Sequence, residues 1–332
     1  VRLNRQALRL TFKMSLVYLS QLLRSNHMGC RKEGFNAALT VQRSFHAYYA
    51  SEESKMKNVL QLCVILSVIA LAGCSDSDEG GVRITGPEVS EGSGQIYPIS
   101  EITFPSNDGV PISALFGAPT SAERIPTIIL LHDLGGDKQE WLTTTDLFIE
   151  LLKRDYAVVA VDMRGHGQTP LPDDRQVLLI EDLENGVLDV FATLNWLLRQ
   201  RAVDPNRIAV IGDGSGGNVA FVSSGVFTDQ IKTSVSLSPG LWEASSLSPL
   251  VIGRGISPFA PRSILYLVGA MDQLEGPETV LSYADFARNL EAVTAQPTSL
   301  RIFQNSAAHG IDLINEVPEA KDLLFLWLEN NL

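Results

Sequence analysis

The sequence predicts an α/β fold with a mainly parallel sheet. From Ile96 onward, short β-branched runs alternate with stretches of helical periodicity. The residues that follow several of these runs cluster Gly, Asp, Ser and His. No break in composition interrupts the last 235 or so residues, which points to one domain. Strands separated by helices need crossover connections, and these stack helices on both faces of a parallel sheet. Sites in such sheets form at the carboxyl ends of the strands.

The elements follow in order. Glu101–Phe104 and Ile112–Phe116 flank Asn107-Asp108-Gly109, a hairpin signal. Pro126–His132 and Tyr156–Asp162 are largely apolar runs, as expected of strands covered on both faces. Apolar Trp141, Leu142, Leu147, Phe148 and Leu151 predict a helix over 138–153, and Leu183, Val187, Val190, Phe191, Leu194 and Leu197 predict one over 178–199. Arg207–Gly212, Thr233–Leu237 and Ser263–Val268 read as three further strands. A helix over 277–293, a strand over 298–304 and an amphipathic helix over 318–330 complete the series.

The front of the chain differs in kind. The first 73 residues hold ten Lys/Arg and three Asp/Glu, which leaves 16 basic against 35 acidic residues in the rest, a net charge of −19 there. So acidic a domain repels nucleic-acid phosphate, so nucleic acid is excluded as a partner. Met56-Lys57-Asn58 opens a short basic region, and Val59–Ala72 is an apolar run interrupted only by Gln61 and Ser67. As a helix that run is about 21 Å long, short of a bilayer core of about 30 Å, so it reads as a signal-peptide core. It ends in Leu71-Ala72-Gly73-Cys74, which resembles the lipobox of bacterial lipoproteins. The resemblance implies lipidation of Cys74, a cell-envelope location at the outer membrane or periplasmic face, and contact with membrane through the anchor only. Ser75, where an inner-membrane lipoprotein often carries Asp, points weakly to the outer membrane. The expected organisation is a non-native upstream extension over 1–55 with translation starting at Met56, a signal peptide over 56–73, a Gly/Ser-rich tether over 74–95, and one domain over 96–332. Cys30 and Cys63 fall outside the mature part, so no disulfide is expected in it.

Five strand-end loops carry the chemistry: His132-Asp133-Leu134-Gly135-Gly136, Asp162-Met163-Arg164-Gly165-His166-Gly167, Gly212-Asp213-Gly214-Ser215-Gly216-Gly217-Asn218, Gly269-Ala270-Met271-Asp272, and Ala308-His309-Gly310. The last three give a small-residue elbow, then an acid, then a histidine. That order resembles the α/β-hydrolase family, in particular its dienelactone-hydrolase-like and esterase-like bacterial members, over roughly residues 100–330. Leu237-Ser238-Pro239-Gly240 is similar to their loop after the next strand. The resemblance implies the α/β-hydrolase fold and hydrolysis of an ester or related acyl bond of a small molecule, with no cofactor. It maps the base onto His309, the acid onto Asp272, and the oxyanion-binding N–H groups onto Leu134 and the residue after the nucleophile. A serine hydroxyl needs a base to take its proton, a carboxylate to orient that base, and N–H groups facing the developing negative oxygen. His132 and His166 read as braces of their loops, and Asp162 as the brace of the turn beside Arg164. Asp312 does not end a strand and is the lesser candidate for the acid. The three histidines of the expected domain are scattered and lack metal-site spacing, and no Walker lysine accompanies the glycine-rich loop.

The nucleophile departs from the pattern. In Gly-x-Ser-x-Gly the serine lies two residues after the first glycine; from Gly212 that position is Gly214, and the serine comes one place later, at Ser215. Taking Ser215 as nucleophile makes Gly216 the second oxyanion donor and puts Asp213 at a tight small-residue position, near a developing oxyanion. Asp133 stands where many relatives carry Gly, so the other side of the hole is acidic as well. Two readings stay open. Ser215 with His309 and Asp272 hydrolyses an acyl bond, or Gly214 is the elbow residue and the domain is a non-catalytic module of the fold. The 25 residues between Leu237 and Ser263 are too few for a large helical cap, and Leu241, Trp242, Leu247 and Leu250 there either rim an open pocket or cover the sheet edge.

Overall fold

The computed structural model describes residues 97–120, 124–240, 260–275 and 280–332. All lie in the second of the chain's two units, Glu88–Leu332. The expectations for the extension, the signal peptide, Cys74 and the tether fall outside the described residues, as do Leu241, Trp242, Leu247 and Leu250.

An eight-stranded sheet runs β1 (Ile99–Pro105), β2 (Pro111–Gly117), β4 (Ala157–Val161), β3 (Ile125–Leu131), β5 (Val203–Asp213), β6 (Ile231–Leu237), β7 (Arg262–Gly269), β10 (Ala295–Phe303) across its width. β1 and β2 form the antiparallel hairpin, and every pairing from β4 to β10 is parallel. The order reverses at β3, which has β4 on one side and β5 on the other. Loops leaving β3 and β5 therefore face each other at the switch point where ligands bind in such sheets. β8 (Gln273–Glu275) and β9 (Val280–Ser282) pair separately.

Residues two apart share a face of the sheet. Ile128, Leu130, Val158, Ala160, Ala209 and Ile211 share one buried cluster with α2 (Leu147–Lys153) and α8 (Pro318–Asn331), through Phe148, Leu151, Leu324 and Leu328. α4 (Gly186–Leu197) and α5 (Ser215–Val226) pack against each other, and α5 lies on β5 and β6. Nearly continuous apolar strands are what two-sided coverage requires.

Three helices differ from the sequence expectation. The helix over 138–153 is two, α1 (Glu140–Thr143) and α2, because Thr143-Thr144-Thr145 is a β-branched run followed by Asp146. The helix over 178–199 is α3 (Ile180–Glu184) and α4, parted at Asn185-Gly186, two weak helix formers. The helix expected from 277 begins at Tyr283 as α6 (Tyr283–Ala292), where the Ser282 side chain accepts from Asp285 N–H at 3.3 Å. A short helix, α7 (Ile311–Glu316), was not expected and follows His309 directly.

Candidate active site

The site grows from strand register. β3 and β5 pair with Leu131 opposite Gly212, so Asp133 and Gly214 each stand two residues beyond a paired position at the same end. Gly214 takes the sharp turn from β5 into α5 with φ +49° and ψ −110°, backbone that L side chains adopt only under strain. Its N–H donates to Leu237 O at 2.9 Å. A Cβ built at Gly214 would lie 2.2 Å from Asp133 Cγ and 2.2 Å from its Oδ1. The space of an elbow side chain is thus filled by the carboxylate of Asp133.

β7 and β10 are neighbours, and their ends deliver the acid and the histidine. Asp272 is buried, with both carboxylate oxygens 3.0 Å from His309 Nδ1. An ionised carboxylate can only accept, so Nδ1–H donates and Nε2 turns toward the elbow. There it lies 3.5 Å from Asp133 Oδ2, an ion-pair contact without hydrogen-bond geometry. Gly310, just after the histidine, has φ +54° and donates its N–H to Ser238 Oγ at 2.9 Å. The Tyr283 ring stands 4.4 Å from the His309 ring, centre to centre. Ser238 and Tyr283 were given no role from sequence; for Ser238 the signal was its place in Leu237–Gly240.

The charges follow from these contacts. Burial opposes a charged His309, but Asp133 and Asp272 on its two sides outweigh it and hold its pKa well above the ordinary imidazole value. Burial likewise pushes Asp133 up, yet His309 and the N–H groups of Ser215 and Leu134 hold it below the usual carboxylate range. Asp213 is buried beneath Gly310; burial, reinforced by the charge of Asp133, raises its pKa well above the usual value and favours its neutral form. Glu140 is pushed up to about 7 by burial and by Asp137, Asp133 and Asp312.

The structure therefore brings Asp272 and His309 together but not Ser215. The Ser215 hydroxyl is buried, has no hydrogen-bond partner among the described residues, and stands beside a small cavity that Ser215 lines with Met163, His166, Leu183 and Val219. Its backbone N–H is what reaches the site, donating to Asp133 Oδ1 at 2.7 Å. Leu134, the other expected donor, directly follows Asp133 in the chain, and Gly216 lies one residue deeper in α5. His132 accepts from Met163 N–H at 3.0 Å and donates from Nδ1 to Asp133 O at 2.7 Å, which braces two loops. Burial, with His166 beside it, lowers its pKa to about 4. Asp162 holds Lys138 and the N–H of Gln168, whereas Arg164 pairs with Asp189 and Asp108. No three His, Cys, Asp or Glu side chains among the described residues are placed to hold a metal ion.

A strained elbow after a central strand, with an acid and then a histidine at later strand ends, is hydrolase architecture. A family model described as "Alpha/beta hydrolase family" matches residues 128–328, and the chain belongs to that family. Among curated proteins it is similar to the quorum-quenching protein AidA of Acinetobacter baumannii, 29% identical over 152 residues, which cover 42% of this chain and 47% of that protein. The chain spans about half or less of the length of the curated relatives it matches. Among solved structures it resembles an acetyl xylan esterase from Paenibacillus sp. R4, at TM-score 0.54 and 18% identity over 74% of this chain and 87% of that one. It also resembles a Klebsiella pneumoniae protein described as a dienelactone hydrolase, at TM-score 0.54 and 16% identity over 70% and 98%. At such identities these structures speak for the fold.

Proposed function

We propose that the domain is a small-molecule hydrolase in which His309, oriented by Asp272, moves the protons. The observation that carries this reading is the fixed ring: both Asp272 oxygens hold Nδ1 at 3.0 Å and leave Nε2 directed at the elbow. Access supports it too. The side chains of His309 and Asp133 are 29% and 16% exposed, whereas Ser215 is 1% exposed. A route through Ser215 would require its hydroxyl to leave its buried place and reach His309.

One observation favours a second reading, a non-catalytic module. The N–H of Ser215, the residue after the elbow, already donates to the Asp133 carboxylate. Assay of the purified chain against p-nitrophenyl acetate, p-nitrophenyl butyrate and styrene oxide separates the two. The hydrolase reading expects turnover of at least one, reduced about 10³-fold or more in His309→Asn. No turnover of any of the three supports the module. The quorum-quenching relative adds quorum signals to the substrates worth assaying.

The lipobox-like Leu71–Cys74 supports an envelope protein anchored through Cys74, at the outer membrane or periplasmic face. Metabolic labelling with a fatty-acid alkyne in a bacterial host is expected to mark the chain, and Cys74→Ser is expected to abolish the mark. Labelling that survives that substitution contradicts the anchor.

A further inference from the structure

We infer that Tyr283 is a positioning residue of this site: the face of its ring holds the His309 imidazole in place and favours its protonated form. The inference rests on the hydrolase reading above and names a residue that sets the charge of the histidine moving the protons. Three observations carry it. The Tyr283 and His309 rings stand 4.4 Å apart, centre to centre, and are tilted by 57°. Tyr283 is buried, at 3% exposure, so that side of the imidazole is shielded from water. Its N–H donates to Asp272 O at 3.2 Å, while the Asp272 carboxylate accepts from His309 Nδ1. The acid thus ties the two rings together, one through its main chain and the other through its side chain.

Local structure explains the placement. In the β8–β9 hairpin Gln273 pairs with Ser282, so Asp272 and Tyr283 are the next positions out, side by side. Tyr283 opens α6, and the N–H groups of a helix's first turn have no partner within the helix. Asp272 O meets that need. Phe286, three residues along α6, stands across Tyr283 at 72°, ring centres 6.2 Å apart. It also fills the space beside Gly240, where a Cβ would lie 2.3 Å from its Cδ2. The Tyr283 ring is therefore braced by its own helix.

The titratable groups that face His309 are Asp272 beyond β7, Asp133 beyond β3, Asp213 at the end of β5, and Tyr283 itself. Burial, reinforced by Asp133, Asp272 and Asp213, pushes the Tyr283 hydroxyl up and keeps it protonated, so the residue brings no charge of its own. What it brings is the quadrupole of its ring, negative on the face and positive at the edge. The face attracts a cation and the edge repels one. Aromatic pairs usually keep their centres about 4.5–7 Å apart. The short separation here is reached when the smaller ring, the imidazole, turns its edge onto the face of the larger. That edge carries the charge of a protonated imidazole, so the contact strengthens when His309 is protonated and weakens when it is neutral. Asp133 and Asp272 act on the same equilibrium, and Tyr283 adds to them.

The test is an NMR titration of His309 in the full chain with residue 283 varied. Tyr283→Phe keeps the ring and is expected to leave the midpoint in place. Tyr283→Leu removes the ring and is expected to lower the midpoint by about half a unit or more. Phenylalanine analogues with successive ring fluorines at position 283 keep the shape while drawing electrons from the face, so the midpoint should fall stepwise. That series decides the matter if Tyr283→Leu does not fold. A midpoint that ignores the fluorines or the loss of the ring, or that falls as far in Tyr283→Phe as in Tyr283→Leu, overturns the inference. The titration needs no turnover. A stepwise fall in a chain inert toward every substrate above leaves the role of the ring standing and sinks the hydrolase reading. A flat series in an active chain does the reverse.

Discussion

At the β7–β10 end of the site, Asp272 and His309 keep the order and the contact that a serine hydrolase uses. At the β3–β5 end, the side chain they would serve is absent, and an acid from the facing loop fills its space. The two ends teach that a histidine's task is set by what faces it. Beside a serine hydroxyl, a ring oriented by Asp272 would rest neutral and act as a base. Beside Asp133 its pKa is held well above the ordinary imidazole value, which favours the charged ring.

The strongest way to break this comparison is to make the two ends agree. Asp133→Gly combined with Gly214→Ser empties the space and refills it from the elbow. We expect a fluorophosphonate probe to label position 214 of that variant and to leave the starting chain unlabelled. The turn at φ +49° strains any residue but glycine, a cost elbows of this fold tolerate at the nucleophile. A folded but unlabelled double variant would mean that the histidine end is not arranged for a serine.

A smaller effect sharpens the same point. Gly214→Ala alone puts a methyl group into the Asp133 carboxylate at a strained turn, and is expected to lower stability by about 2 kcal/mol or more in urea unfolding. Adding Asp133→Gly should recover the steric part, a coupling that a double-mutant cycle measures. Additive effects would show that the two residues do not meet. The smallest effect is at Ser215. Its hydroxyl bonds to nothing among the described residues, so Ser215→Ala should change stability by less than about 1 kcal/mol. A larger loss would reveal a partner for that hydroxyl.

Much of this was legible in the sequence. The apolar runs ending at His132, Asp162 and Leu237 became strands within a residue or two, because two-sided burial writes itself as continuous hydrophobicity. Asp272 and His309 were legible from their loops after strands. The spacing from Gly212 already put Gly214 at the elbow, and Asp133 already stood out as an acid in the wrong place. What filled the elbow was not legible. It depends on β3 lying beside β5 with Leu131 opposite Gly212, a pairing between segments about 80 residues apart in sequence. Local pattern does not encode such register. The β8–β9 hairpin and α7 were missed for a plainer reason: elements of three to six residues carry too little periodicity to read.

The account turns on the Asp133 carboxylate facing His309, and its pH dependence has a definite sign. The raised His309 pKa stabilises the fold below the ordinary imidazole value, a contribution lost as pH rises through the folded pKa. The lowered Asp133 pKa stabilises it above the ordinary carboxylate value, a contribution lost as pH falls through the folded pKa. The pair is thus fullest between about pH 4 and 6.5. The most direct measurement is an NMR titration of His309 in the starting chain and in Asp133→Asn. The expected result is a midpoint well above 6.5 in the former, lowered by about one unit or more in the latter. The same midpoint near 6.5 in both would contradict the account.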